Sequence, residues 1–200
     1  EGCRHKCAFC TIPSIRGKLA SLPAEHLVAE AGALLDQGVR ELALVAQDLT
    51  SWGLDMGLKN GLPLLLERLA ALKGLDWLRL LYLYPTGVTP ELLRCMRDFG
   101  PPVLPYLDIP LQHAHPDVLS RMGRPFARDP RKVLDLVRGV LPHAVLRTTF
   151  IVGYPGESEA QFESLCRFVE ESRLQHVGVF AYAPEEGTPA ALLPGQIPDD

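Results

Sequence analysis

Short apolar runs alternate along the chain with stretches in which apolar residues recur every three or four positions. The recurring pattern is typical of a helix with one buried face, and the short runs are typical of strands. We predict helices over residues 25–37, 62–73 and 116–122, and three more that begin at Thr89, Asp129 and Ser158. We predict strands over residues 41–46, 77–83, 104–109, 145–152 and 176–182.

Local signals support several of the predicted helix ends. Thr89 and Pro90 have the side chains expected at an N-cap and a first helical turn. Ser158 and Gln161 have the spacing of a capping box, in which each side chain bonds the other residue's backbone N–H. Gly38 and Gly74 stand where the first two helices should end.

Alternating strands and helices predict an α/β fold with a parallel sheet and right-handed crossovers. Repeated β/α units favour a TIM-like barrel, in which functional residues follow the C-terminal ends of the strands. Polar or turn-rich segments do follow all five strands, at residues 47–48, 84–86, 112–113, 153–157 and 183–187. An open doubly wound sheet is the alternative, but no glycine-rich turn after a first strand supports it. We expect a sixth strand before Glu1, so that the first strand of the barrel is truncated.

Composition excludes some classes of function. The chain has 200 residues, 47% of them hydrophobic, and a formal net charge of −4. A domain that mainly binds nucleic acid usually carries a basic surplus, so we expect no nucleic-acid partner for this domain. We find neither a secretory signal nor an apolar run long enough to span a bilayer, and we expect a reducing, cytoplasmic setting without a membrane partner.

Three cysteines lie close together near the start of the chain. Cys3, Cys7 and Cys10 form a Cys-x3-Cys-x2-Cys run with Phe9 directly before the last cysteine. A cubane iron–sulfur cluster with three protein ligands leaves one iron open, and we favour this interpretation. A structural zinc site normally needs a fourth ligand, for which His5 is a candidate, and a redox dithiol would leave Cys3 unexplained.

The other two cysteines, Cys95 and Cys166, lie on apolar helical stripes, and we predict that both are core residues. Several basic residues lie around the cysteine run. They could attract an anionic cofactor, or they could simply form a solvated basic loop. They are Arg4, His5, Lys6, Arg16 and Lys18.

The cysteine run with Phe9 resembles the cluster loop of radical S-adenosylmethionine enzymes. This resemblance implies a partial (β/α)6 barrel of the radical SAM type, with Cys3, Cys7 and Cys10 as ligands of a 4Fe–4S cluster. The open iron of that cluster would chelate S-adenosylmethionine, the second cofactor. Reductive cleavage of S-adenosylmethionine then produces a 5′-deoxyadenosyl radical that abstracts hydrogen.

Six longer segments, spaced along the chain from its start to near its end, are similar to segments of the methylthiotransferases within that class. They are residues 1–3, 12–17, 45–48, 107–114, 147–157 and 182–188. The variants Gln47-Asp48, residues 108–113 and residues 147–150 resemble the branch that modifies the β-carbon of an aspartate in small-subunit ribosomal protein S-twelve. The sister branch, which modifies adenosine in tRNA, is the alternative.

We predict cofactor-binding residues from two signals together, their position at strand ends and this resemblance. Gln47, Asp48, Gln112 and His113 follow strands at the predicted functional face, although turn residues would also suit these places. Arg147 and Thr149 share one face of their strand, and a buried arginine there would need an anionic partner such as the cofactor carboxylate.

Gly153 begins a turn that would let the cofactor approach the backbone. The resemblance implies that Phe9 and Tyr182 flank the adenine, although either could be a core residue.

The chain begins with Glu1, and we interpret residues 1–200 as the catalytic core of a longer protein. The resemblance implies an N-terminal domain with a second cluster, a C-terminal substrate-binding module, and a flavodoxin or ferredoxin as electron donor. A zinc-stabilised binding module and a non-redox lyase or aldolase of TIM type are the hypotheses from other classes. A lyase or aldolase would be expected to carry a catalytic Lys or a carboxylate pair at strand ends, and no Lys ends any predicted strand.

Overall fold

A computed structural model of the chain describes residues 1–124 and 129–197. Strands and helices alternate in it as the sequence pattern predicts. The strands are β1 (Glu41–Leu44), β2 (Trp77–Leu80), β3 (Val103–Asp108), β4 (Val145–Val152) and β5 (His176–Ala181). The helices are α1 (Ile12–Ile15), α2 (Ala24–Asp36), α3 (Gly61–Ala70), α4 (Pro90–Phe99), α5 (Pro116–Arg121), α6 (Arg131–Val140) and α7 (Glu159–Ser172).

The five strands form one parallel sheet in the order β1-β2-β3-β4-β5. Each strand pairs with the next one along the chain, and the longest ladder runs from Arg147 opposite His176 to Val152 opposite Ala181. Within the described residues β1 and β5 are the outer strands, so the barrel is not closed. The α/β fold and the partial-barrel prediction are confirmed.

Several boundaries differ from the predicted ones, chiefly where strands end. Strand β2 ends at Leu80, three residues before the predicted end, because Tyr82 has a left-handed backbone with φ 58° that turns the chain. The N–H of Leu83 nevertheless donates to the carbonyl of Asp108, 2.8 Å away. The segment beyond β2 therefore stays attached to the end of β3.

The caps predicted at Thr89 and Ser158 are confirmed, whereas α3 ends four residues before Gly74. The side chain of Thr89 accepts a hydrogen bond of 3.2 Å from the N–H of Leu92. Ser158 and Gln161 make both bonds of the capping box at the start of α7. These bonds satisfy backbone groups that a helix end otherwise leaves without partners.

The main core lies where the central strands meet the helices. Leu78, Leu80, Leu107 and Phe150 are fully buried from the sheet side, and the apolar face of α3 packs on them. A second, smaller core consists of Val118, Leu119, Met122, Tyr154 and Ala190. Ala8 and Phe9 of the cysteine loop pack against this smaller core, which therefore supports the loop.

The prediction that Cys166 is a core residue is wrong, since this side chain is exposed, and Cys95 is only partly buried. The buried face of α7 consists of Leu165, Phe168 and Ser172, so Cys166 faces away from it. Among the described residues, no helix is both long and apolar enough to cross a membrane.

Candidate functional site

A cavity of about 280 Å³ opens at the C-terminal ends of the strands, beside the cysteine loop. Side chains from the loop and from all five strands, or the segments that follow them, share its wall. The loop contributes Cys3, His5, Cys7, Phe9, Cys10 and Ile12. The rest of the wall consists of Gln47, Tyr82, Leu83, Tyr84, Asp108, Pro110, Gln112, Arg124, Arg147, Thr149 and Phe180.

Backbone contacts hold the cysteine loop against the rest of the domain. The N–H of Cys3 donates to the carbonyl of Gly17, 3.2 Å away, and the N–H of Ala8 to that of Met122, 2.9 Å away. Gly2 has φ +74°, and a Cβ there would lie 2.1 Å from the carbonyl oxygen of Lys18. Only glycine fits at this position, directly before the first cysteine.

The three thiols of the loop line the same cavity and form no disulfide. Burial raises the pKa of Cys3 and of Cys10 above the ordinary value of a thiol. In the described part of the chain, no three or more His, Cys, Asp or Glu side chains are grouped to hold a metal ion. A cubane cluster binds each thiolate at a different iron, so it requires three thiols around a common space, which this cavity provides.

Asp48 anchors the loop from the end of β1. Its buried carboxylate accepts a hydrogen bond of 2.6 Å from Nε2 of His5. Burial opposes ionisation, but the bonds from His5, Ser51 and Thr50 hold the pKa of Asp48 below its usual value. The His5 ring stacks on Tyr84, with ring centroids 3.6 Å apart. Asp48 therefore lies behind the loop and outside the wall of the cavity.

Two residues of the cavity wall carry a buried acceptor without a hydrogen-bond partner in the described part of the chain. Oε1 of Gln47 and Oδ1 of Asp108 are buried, and neither has a hydrogen-bond partner among the described residues. Burial raises the pKa of Asp108, although the N–H of Tyr82 and the charge of Arg147 oppose the increase. Buried acceptors are normally satisfied, so a ligand with N–H or O–H donors fits this wall.

Arg147 is not a buried arginine, because 47% of its side chain is exposed. Its Nε lies 3.9 Å from Oδ1 of Asp108, which is an ion pair beyond hydrogen-bond distance. Arg147 and Thr149 line the cavity from β4, as the alternation along that strand predicts. Asp108 is thus the anion already beside Arg147, and it lies within the same cavity wall.

The backbone of Gln112 extends the sheet edge next to β4. Its N–H donates to the carbonyl of Thr149 at 2.8 Å, and its own carbonyl accepts from Ile151 at 2.8 Å. Gln112 has φ 73°, which is unusual for a residue with a side chain. Two backbone bonds hold this conformation and leave the Gln112 side chain at the cavity.

His113 and Gly153 belong to a neighbouring network instead. Nε2 of the buried His113 lies 2.9 Å from Oε1 of Glu157, and Nδ1 accepts from the N–H of His115. The other oxygen of Glu157 accepts from the N–H groups of Gly153, 2.6 Å away, and Tyr154, 3.1 Å away. This network ties the loop after β3 to the turn after β4, and its members lie outside the cavity wall.

The two predicted aromatic residues are placed differently. Phe9 lines the cavity, whereas Tyr182 packs edge-on against Tyr154 with ring centroids 5.2 Å apart. Phe180, two residues before Tyr182 in β5, reaches the cavity.

Sequence reasoning did not predict Asp108, Arg124, Tyr84 or Phe180 as wall residues, and it proposed His5 as a candidate zinc ligand and as one of the basic residues around the cysteine run. Tyr84 belongs to a polar segment that follows a predicted strand, and Asp108 is a charged residue near the end of one, so both carried a usable signal. Nothing local marked Arg124.

The wall of three thiols and unpaired acceptors at the ends of parallel strands is typical of one class of cofactor-dependent enzymes. Residues 1–169 match the family model described as the radical SAM superfamily, and the chain belongs to this superfamily. Membership of this superfamily confirms the two cofactors that the sequence predicts, a 4Fe–4S cluster and S-adenosylmethionine.

Relatives of known name are more specific. The chain is 62% identical over 199 residues to the ribosomal protein uS12 methylthiotransferase RimO of Nitratidesulfovibrio vulgaris, covering all of this chain and 46% of that protein. It is 51% identical over 201 residues to the RimO of Moorella thermoacetica, again covering 46% of the relative. The chain thus spans about half the length of these relatives.

Solved structures agree on the fold. The radical S-adenosylmethionine methyltransferase TsrM of Kitasatospora setae superposes with a TM-score of 0.75 at 17% identity, over 96% of this chain and 37% of that one. Methylornithine synthase PylB superposes with a TM-score of 0.61 at 14% identity, over 98% of this chain and 55% of that one.

Proposed function

We propose that this chain is the catalytic core of a radical SAM methylthiotransferase that modifies the β-carbon of an aspartate in ribosomal protein uS12, the protein called S-twelve above. One observation carries the proposal: three loop thiols share a cavity with Gln47 and Asp108, whose buried Oε1 and Oδ1 accept no hydrogen bond from the described residues. The names of relatives at 51–62% identity support the substrate.

In this proposal Cys3, Cys7 and Cys10 would hold the cluster beside the residues at the strand ends. Burial of the thiols favours a cluster over solvent, although binding must displace the protons that the raised pKa values of Cys3 and Cys10 retain.

The wall residues would bind S-adenosylmethionine. Gln47 and Asp108 offer acceptors for its ammonium or hydroxyl donors, and Arg147 offers a cation for its carboxylate. Thr149 and Gln112 add polar groups beside them. Phe9 supplies an apolar surface for the adenine. Asp48, Gly153 and Tyr182 would act from behind the wall, by supporting the loops that form it.

When bound, the two cofactors supply the radical that removes hydrogen from an unactivated carbon. The protein's contribution is to orient the cofactor, to exclude water and to admit a loop of the substrate. A partial barrel would leave one side open, which suits a macromolecular substrate.

The acidic net charge of −4 suits a basic ribosomal protein better than it suits tRNA. The cytoplasm, where such a protein is made, is the setting that we propose.

The relatives are about twice as long as this chain, and we propose that the missing half includes a second cluster and a substrate-binding module. A flavodoxin or ferredoxin would reduce the cluster. This chain alone, reconstituted with iron and sulfide, should cleave S-adenosylmethionine reductively but should not methylthiolate.

The test uses the full-length protein, reconstituted without oxygen. An electron paramagnetic resonance signal that changes when S-adenosylmethionine is added would support the cluster and its open iron. The same protein is then offered purified uS12 and unmodified tRNA in parallel, and each is weighed by mass spectrometry. A methylthio group on uS12 supports the proposal, whereas modification of tRNA alone would favour the sister branch.

A further inference from the structure

Arg124 is the one Lys or Arg side chain that is buried in residues 1–124 and 129–197, with 5% of its surface exposed. It follows the turn that ends α5 and lies beside the cysteine loop. Removing a guanidinium from water costs several kcal/mol unless acceptors or anions surround it. Its place in the cavity wall therefore needs a reason beyond packing.

Three contacts fix the orientation of this guanidinium. Nη1 donates to Sγ of Cys7, 3.4 Å away, and Nη2 donates to the carbonyl of Pro110, 2.6 Å away. The guanidinium carbon lies 4.5 Å from the centroid of the Tyr84 ring. The bond to Pro110 and the stacking on Tyr84 hold the group in place, so that Nη1 is aimed at the sulfur.

The same set of contacts continues into the cysteine loop. Tyr84 stacks on His5 with an interplanar angle of 8°, and His5 bonds the buried carboxylate of Asp48. Arg124 is therefore held by residues that also hold the loop. Its position is set before any cofactor binds.

A cationic donor at a ligand sulfur changes the energy of a cluster in one direction. Reduction adds an electron, and a nearby positive charge stabilises the more negative state. The effect is strong in a buried site, where the effective dielectric constant is low. The hydrogen-bond donor to Sγ of Cys3 is the backbone N–H of His5, 3.5 Å away, which carries no charge. Cys7 differs because its donor is a charged guanidinium.

We propose that Arg124 is a positioning residue that raises the reduction potential of the cluster by donating a charged hydrogen bond to the thiolate of Cys7. The inference rests on the proposed function, since it takes Cys7 to be a cluster ligand. It assigns a role to a residue outside the cysteine run and 117 positions from its partner.

The experiment is a redox titration of the full-length reconstituted protein, followed by electron paramagnetic resonance. The cluster of this domain is identified as the one whose signal changes with S-adenosylmethionine. Arg124→Met should keep the iron content and lower the reduced-to-oxidised ratio at a given potential about tenfold, which is about 59 mV for one electron. Arg124→Lys should give a smaller shift, because it keeps the charge but not the planar fork.

Arg94→Met is the matched control, since Arg94 is exposed and pairs with Glu91 on α4. Its midpoint should equal that of the unaltered protein. An Arg124→Met protein with full iron content and the control's midpoint would overturn the inference.

A second measurement does not depend on whether the variant assembles. In the unaltered protein labelled with ¹⁵N-arginine, pulsed resonance of the reduced cluster should detect a guanidinium nitrogen. An intact cluster without that coupling overturns the role of Arg124 alone. A cluster whose resonance signal does not change when S-adenosylmethionine is added overturns the proposed function itself.

Discussion

Nε2 of His5 lies 2.6 Å from Oδ2 of Asp48, and this bond joins the cysteine loop to the end of β1. His5 stands between two of the three cysteines, and Asp48 is almost completely buried. Oδ1 of the same carboxylate accepts bonds from the N–H and hydroxyl of Thr50. The loop is thus held by a buried carboxylate in the segment that follows β1.

Replacing Asp48 should therefore loosen the loop. We expect Asp48→Asn to lower the free energy of unfolding of the metal-free protein by about 1–3 kcal/mol, because buried donors lose a charged acceptor. Iron bound per chain should fall as well. Asp55→Asn is the control, since Asp55 also accepts two bonds, from Ser21, but in an exposed position. Equal losses in the two variants, by urea unfolding and iron analysis, would contradict the prediction.

The cysteines should separate into two groups. Replacing Cys3, Cys7 or Cys10 by Ala should abolish the brown chromophore or leave a degraded cluster, because each thiol lines the cavity. Cys95→Ala and Cys166→Ala should keep the cluster, since both lie on helices outside that wall. Absorbance and iron per chain after anaerobic reconstitution measure the difference. Stoichiometric zinc under those conditions would contradict the cluster.

Replacing Gln47 tests cofactor binding separately from the stability of the fold. Its buried Oε1 has no partner among the described residues, so Gln47→Leu removes no bond within that part of the protein. We expect the free energy of unfolding to stay equal or rise, while affinity for S-adenosylmethionine falls about tenfold. Gln37→Leu, on the surface after α2, is the control for affinity. Unchanged binding together with a large loss of stability would show that Gln47 is only structural.

Glu157 should make stability depend on pH. Burial opposes its ionisation, but the bonds from His113, Tyr154 and Gly153 hold the pKa of Glu157 below its usual value. A lowered folded pKa means that the carboxylate stabilises the fold above its unfolded pKa of about 4.3. That contribution is lost as the pH falls through the lower folded value.

The advantage of the unaltered protein over Glu157→Gln should therefore be largest near neutral pH and shrink in acid. Urea unfolding between neutral and acidic pH measures it. Glu163→Gln removes an exposed carboxylate from α7 and should show little of this dependence. A constant difference across the pH range would contradict the lowered pKa.

The amino-acid sequence by itself determined the elements, because periodicity and capping are local properties of the chain. The five strands, the capping box of Ser158 and the Cys3–Cys7–Cys10 spacing could all be read without coordinates. So could Gln47 and Gln112, since residues that follow parallel strands meet at one edge of the sheet, and Arg147 and Thr149, since alternate residues of a strand share one face.

Only the tertiary structure decided which side chains face which. His5 meets Asp48 across 43 positions of sequence, and Arg124 meets Cys7 across 117. Local patterns carry no information about such partners, because the contacts depend on how loops from different strands pack. The exposure of Cys166 and that of Arg147 depended on the same packing, which sets the faces of α7 and β4 that point away from the core.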